Sequence, residues 1–150
     1  MQKLPEIKAS YEWFMELYNK EVAILAQSNN LIGLTKLRDY LDFMERGYFV
    51  IMFAQFENAV NDKFESARQA RITNVDWTQR RGWDADSLNG AKVPFETKLA
   101  MVMDKKKDPY GKVKQAYEKR NHCAHGGTTL AVGSIDSLEN DLYDWSAKLK

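Results

Sequence analysis

Arg120, Asn121, His122 and His125 fall within six residues of this chain, Arg-Asn-His-Cys-Ala-His, directly before Gly126-Gly127. Arginine is a permanent cation whose planar fork fits phosphate. Histidine is the side chain whose unperturbed pKa lets it give or take a proton near neutrality. A guanidinium, an amide and two imidazoles at the end of one predicted helix suit phosphodiester cleavage.

Helical periodicity is visible along most of the chain and strand-like alternation nowhere of useful length, so the predicted class is all-α, a single-domain bundle of about five helices over residues 1–150. A first helix is expected from about Pro5 to Gln27, because Leu4, Ile7, Tyr11, Phe14, Tyr18, Val22 and Leu25 recur at spacings of three and four. Ser28-Asn29-Asn30 stops it. A second, long helix is expected from near Thr35 to about Ala70, carried by Leu37, Leu41, Met44, Tyr48, Ile51, Met52, Phe53, Phe56, Val60 and Phe64. Between Tyr48 and Phe56 it is apolar on nearly every side, which suits a central core helix that doubles as a subunit interface.

From Arg71 to Val93 the pattern dissolves into a long polar loop with room for a short helix. Pro94 opens a third helix through Phe95, Leu99 and Val102 toward the Lys105-Lys106-Lys107 cluster, where cations suit a helix C-terminus. Asp108-Pro109 separates it from a fourth helix over about Tyr110 to Ala124, ended by Gly126-Gly127. Ser134 is placed to cap a last helix bearing Ile135, Leu138, Leu142, Trp145 and Leu149.

At about 100° per residue, Val113, Tyr117, Arg120 and Ala124 share a narrow sector, so Arg120 points inward. An inward arginine needs a partner or a ligand, because an unpaired buried charge is costly. On the long helix, Glu57 lies in line with Phe53, Val60 and Phe64, with Asn58 and Asn61 beside it. Glu57 or one of those asparagines is expected to meet Arg120 across the core, either to aim its fork at a substrate or as a structural ion pair alone.

Asn121 and His125 are four apart and share a face, whereas His122 lies opposite the apolar stripe and is expected to be solvated. His125 is therefore the expected proton carrier, next to a helix C-terminus that favours imidazolium and to glycines that leave room for substrate. The competing reading makes it a cap or packing residue. His122, Cys123 and His125 make a poor metal site, since the chain has no other Cys or His to complete one; neither metal nor cofactor is expected. Cys123 reads as an ordinary half-buried thiol. In the loop, Arg80 and Arg81 interleave with Trp77 and Trp83, a mixture in which cations grip phosphate and indoles stack on bases, as single-stranded RNA binding requires. Its competing reading is a solvated loop pinned by two tryptophans.

A chain of 150 residues, 44% apolar, supports one hydrophobic core. Its 22 Lys and Arg against 21 Asp and Glu leave a net charge of +1, so any nucleic-acid contact must come from a local patch. The N-terminal residues lack the apolar run of a signal peptide, and the run from Tyr48 to Phe56 falls well short of the roughly 20 residues that span a bilayer. One cysteine fits a reducing compartment, so a cytoplasmic protein without membrane contact is expected.

Arg120-Asn121 followed by His125 resembles the Arg-x4-6-His motif of the HEPN superfamily, including its frequent Arg-Asn opening. The helical plan, with the motif late in the chain and Phe56-Glu57-Asn58 on an earlier long helix, is similar to the HEPN plan. The resemblance implies a metal-independent endoribonuclease of the kind found in toxin–antitoxin, phage-defence and RNA-processing systems. It further implies that Arg120 holds the scissile phosphate, His125 transfers a proton, Asn121 orients either group, and the 2′-hydroxyl attacks to leave a 2′,3′-cyclic phosphate and a 5′-hydroxyl end. The implied partners are RNA, a second copy whose motif faces the same cleft, and an antitoxin or regulatory protein. Gly127 stands where members paired with a nucleotidyltransferase antitoxin often carry tyrosine. The other reading of the same residues is a HEPN-like module that binds RNA, a nucleotide or a protein without cutting; Arg120, Asn121, His125 and Glu57 are the expected catalytic set, and Arg80, Arg81, Trp77, Trp83 and Asn61 the expected substrate contacts.

Overall fold

A computed structural model describes residues 1–83, 88 and 92–150. Among them the secondary structure is entirely helical: α1 (Leu4–Gln27), α2 (Leu31–Ile72), α3 (Trp77–Arg80), α4 (Phe95–Val102), α5 (Tyr110–Ala124) and α6 (Ile135–Ala147). The all-α bundle expected from periodicity is observed, with six helices rather than about five because the polar loop contributes the one-turn α3. The loop's residues 84–87 and 89–91, Gly90 among them, lie outside the described residues.

α1 and α2 form a helical hairpin over three connecting residues. Asn29 takes a left-handed conformation (φ 53°), and the Asn30 side chain accepts the Gly33 amide at 2.9 Å, which satisfies one of the open N–H groups at the start of α2. From there α2 runs for 42 residues and packs against every other helix. Its first half is covered by α1, so Leu37 and Leu41 are half-buried. From its middle onward Phe49, Met52, Phe53, Phe56, Val60 and Phe64 are buried. Phe53 is the centre of the core: its ring lies 6.2 Å from Phe49, 5.7 Å from Phe56, 6.0 Å from Phe95 on α4 and 6.3 Å from Tyr117 on α5. Phe56 continues the contact to Trp145 of α6 at 5.8 Å. Lys8 ties α1 to α6 through Asp136 at 2.7 Å, and hydrogen bonds to Asp136 and Glu12 raise its pKa above the ordinary lysine value.

Two expectations are corrected. Met44 and Ile51 belong to the predicted apolar stripe of α2, yet both are exposed, because the buried arc runs through residues 49, 52, 53, 56 and 60 and leaves them on its far side. α4 does not reach the lysine cluster. Met103 turns to extended backbone (φ −136°, ψ 136°) to bury its own side chain, the Lys150 amide donates to the freed Val102 carbonyl at 2.9 Å, and Asp104 then caps a turn by accepting the Lys106 amide at 2.9 Å. Tertiary burial outweighs helix propensity there.

Because Phe53 joins three helices in one aromatic cluster, Phe53→Ala is expected to lower unfolding stability by about 3–5 kcal/mol in urea denaturation; a loss below about 1 kcal/mol would show that the cluster is not the core of the fold.

Candidate functional site

α5 ends in a hydrogen-bonded reversal set by its two glycines. The Gly127 amide donates to the His122 carbonyl at 2.9 Å and the Gly126 amide to Cys123 at 3.0 Å, with Gly126 in the left-handed region (φ 79°), the pairing of a Schellman motif. The reversal lays Gly127 on the His122 ring so closely that a Cβ there would collide with the imidazole. His122 is consequently half-buried rather than solvated, and its Nε2 lies 3.0 Å from the Thr129 hydroxyl.

The segment after this reversal is held by Arg46, a residue that the sequence reading passed over. Arg46 is 8% exposed and spends its guanidinium on backbone: Nη2 donates to the Thr128 carbonyl at 2.7 Å and Nη1 to Leu130 at 2.7 Å. Nε and Nη2 also donate to Asp42 one turn earlier, at 2.9 and 3.1 Å. The Asp42 hydrogen bond raises the pKa of Arg46 against the opposing effect of burial. The signal was available, since Arg46 is three residues before Phe49 and seven before Phe53 on the buried stripe, where a cation requires acceptors.

Glu57 and Arg120 meet across the α2–α5 contact, with Arg120 Nη2 at 3.0 Å from Glu57 Oε2 and side chains 28% and 16% exposed. Nη1 of the same guanidinium donates to Asn121 Oδ1 at 3.0 Å, while its Nε is buried without a hydrogen-bond partner among the described residues. Arg120 is thus held on two sides in one orientation. Asn61, one turn beyond Glu57, instead accepts Lys98 Nζ of α4 at 2.8 Å, and Asn58 faces solvent. His125 closes α5, its amide donating to the Asn121 carbonyl at 3.1 Å, with its side chain exposed and making no hydrogen bond to the Arg120 or Asn121 side chain. The structure therefore brings Arg120, Asn121 and Glu57 together at the α2–α5 contact, spends Asn61 on Lys98 of α4, and leaves His125 on the adjoining turn.

The loop residues lie farther away. Between Glu57 and Ile72 α2 rises about 22 Å, so α3 is remote from Arg120. Trp83 folds back and packs on Phe64 with ring centres 6.3 Å apart, and the half-buried Arg80 donates to the Asn74 carbonyl at 3.2 Å; both stabilise the loop. Trp77, 59% exposed, carries the Arg81 guanidinium 5.4 Å from its ring centre, and these two face solvent. Cys123 is half-buried, its Sγ 3.9 Å from Arg46 Nη1. No cluster of three or more His, Cys, Asp or Glu residues able to hold a metal ion occurs among the described residues, nor does a helix long and apolar enough to cross a membrane.

No family model, curated protein or solved structure matches the chain.

Burial raises the pKa of Glu57 above its ordinary 4.5, and the charge and hydrogen bond of Arg120 hold that rise back. A carboxyl group that binds its proton more tightly in the folded state contributes stability that is full below the unfolded pKa and declines as pH rises through the folded one. The stability of the wild type relative to Glu57→Gln is accordingly expected to fall as pH increases from about 4.5, measured by urea unfolding across the acid range; a rising difference would mean that Arg120 outweighs burial. Gly127→Ala is expected to evict the His122 ring and break its bond to Thr129, at a cost of about 0.5–1.5 kcal/mol, visible as a changed His122 imidazole environment by NMR.

Proposed function

We propose that this protein is a metal-independent endoribonuclease of the HEPN type, cleaving RNA by attack of a 2′-hydroxyl on the adjacent phosphorus. A toxin–antitoxin or phage-defence setting in the cytoplasm, with an antitoxin or regulatory protein as partner, belongs to the same reading. The observation that carries it is the Arg120 guanidinium, fastened by Glu57 at 3.0 Å and by Asn121 at 3.0 Å, with exposed His125 one turn away. A cation held in place before substrate arrives stabilises the charge that builds on a pentacoordinate phosphorus without reorganising at the moment of reaction.

In-line cleavage needs a base to take the 2′-hydroxyl proton and an acid to protonate the departing 5′-oxygen. One chain offers one solvent-facing imidazole, because His122 is engaged by Thr129 and covered by Gly127. Two copies with their α5 ends at one cleft would offer two. The face of α2 beside this end supports such pairing: Tyr40, Phe43 and Ile51 are 65%, 73% and 51% exposed, and a cavity of about 280 Å³ opens between Phe43, Val50, Ile51, Cys123 and Ala124. Exposed apolar surface of this kind marks an interaction face. Of the four expected loop contacts, Trp77 and Arg81 face solvent and would meet RNA, whereas Arg80 is tied to the Asn74 carbonyl and Trp83 to Phe64.

A non-catalytic HEPN-like module binding RNA, a nucleotide or a protein draws on one observation, that Arg120 is already paired with Glu57 as in a structural ion pair.

Purified protein is expected to cleave structured RNA in EDTA and leave 2′,3′-cyclic phosphate ends. Arg120→Ala and His125→Ala should each reduce the rate by about 10²–10⁴-fold without unfolding the protein. Absence of cleavage by a folded protein across varied RNAs would transfer the assignment to the binding module. Phe43→Glu combined with Ile51→Glu is expected to convert a dimer to monomer in sedimentation experiments and to abolish cleavage with it; an unchanged sedimentation coefficient would remove this face as the interface.

A further inference from the structure

α1 has two apolar faces where a hairpin needs one. Tyr11, Phe14, Tyr18, Val22 and Leu25 are buried or half-buried on the side toward α2, with the Tyr48 ring 5.2 Å from that of Tyr11 and 6.3 Å from that of Phe14. On the opposite side Trp13, Leu17 and Ile24 are exposed, Trp13 to 64%. At about 100° per residue these three and Lys20 fall within a sector of about 60°. Their spacings of four, three and four are those of the a and d positions of a coiled coil, with Lys20 at a d position. A surface helix that only closed its own hairpin would be polar there.

The charges beside this seam select what can cover it. Glu16 and Glu21 occupy the flanking g and e positions, and both face solvent. A second copy laid parallel on the same seam would set Glu16 against Glu21. In an antiparallel pair the other flanking positions, Ala9, Phe14 and Ala23, supply no cation to offset the glutamates. Like charges across a seam oppose association, and an anionic lipid surface meets the same repulsion. A partner helix with cations at its own flanks is attracted instead. Lys20 adds register, because a lysine inside an apolar seam favours the one alignment that puts an acid or amide opposite it.

We propose that the outer face of α1 is the docking site for an amphipathic helix of a different protein. That helix presents apolar side chains to Trp13, Leu17 and Ile24, lysine or arginine to Glu16 and Glu21, and an acid or amide to Lys20. From Trp13 to Ile24 the seam is about 17 Å long, which a helix of about three heptads covers. The site belongs to α1, whereas the face assigned above to a second copy belongs to α2, and it does not depend on the ribonuclease reading.

The probe is a fluorescein-labelled synthetic peptide of about four heptads, with leucine at a and d, glutamate at the single d position that meets Lys20, and lysine at every e and g. It is titrated with the full chain by fluorescence anisotropy, beside a control peptide that carries glutamate at every e and g. The basic peptide is expected to bind with a Kd of about 10 μM and the acidic one at least about tenfold more weakly. Trp13→Glu should abolish binding of the basic peptide, and Glu16→Lys combined with Glu21→Lys should reverse the preference between the two. Glu16→Gln with Glu21→Gln replaces the reversed pair if circular dichroism shows that it has unfolded, and should make the two peptides bind alike. No binding of the basic peptide at about 100 μM, or a preference indifferent to residues 16 and 21, would overturn the proposal. So would a sedimentation coefficient of the free protein that Trp13→Glu lowers, which gives the face to a second copy, or adsorption to phosphatidylcholine–phosphatidylglycerol vesicles that Trp13→Glu abolishes, which gives it to lipid.

Discussion

The buried stripe of α2 is the constraint on which the other elements depend, since each of the remaining helices packs on this one 42-residue helix. A stripe that must serve α1, α4, α5 and α6 in turn cannot be merely apolar. Its aromatic stretch from Phe49 to Phe64 supplies most of the burial, and the rings of Phe95, Tyr117 and Trp145 bring α4, α5 and α6 to it. Large rigid rings in contact restrict how the helices can slide, so positions across the α2–α5 contact are held closely.

That rigidity gives meaning to the polar residues set into α2. Arg46 and Glu57 are eleven residues apart, which returns to within about 20° of the same direction after three turns. Each meets the C-terminal part of α5 or its continuation: Glu57 takes the Arg120 side chain, and Arg46 takes the carbonyls of the chain that follows. The Schellman reversal at Gly126-Gly127 lies between these two fastenings. His125 is therefore the exposed member of a segment whose neighbours on both sides are anchored to one helix. A side chain placed this way keeps its freedom to rotate while its backbone remains fixed.

Much of this was legible from residue spacing, for reasons that differ by element. α5 and its glycine stop were read with their observed limits, because a helix followed by two glycines has a local physical cause at each end. The Glu57 and Arg120 contact could be anticipated because each charge interrupts an apolar stripe, and two such interruptions on packed helices have few partners other than each other. Arg46 obeys the same rule and was missed, since its acceptors are backbone carbonyls that no residue type announces. His122 was misplaced because its environment is created by Gly127 folding back over it, and helical projection stops at the last helical residue.

What the sequence by itself determined is therefore what short-range physics controls: the all-helical class, most helix limits, the buried aromatic stripe, and the closeness of Arg120, Asn121 and His125 along one helix end. The tertiary structure alone decided which polar atoms are spent and which remain available. It paired Asn61 with Lys98 rather than Arg120, tied Arg80 to the Asn74 carbonyl, docked Trp83 on Phe64 of α2, and closed His122 with Thr129 while leaving His125 open. The physical reason is that a hydrogen bond or ion pair depends on ångström-scale distances between residues far apart in the chain. Those distances are set by the packing of whole helices, and periodicity specifies a direction around a helix without specifying what stands opposite.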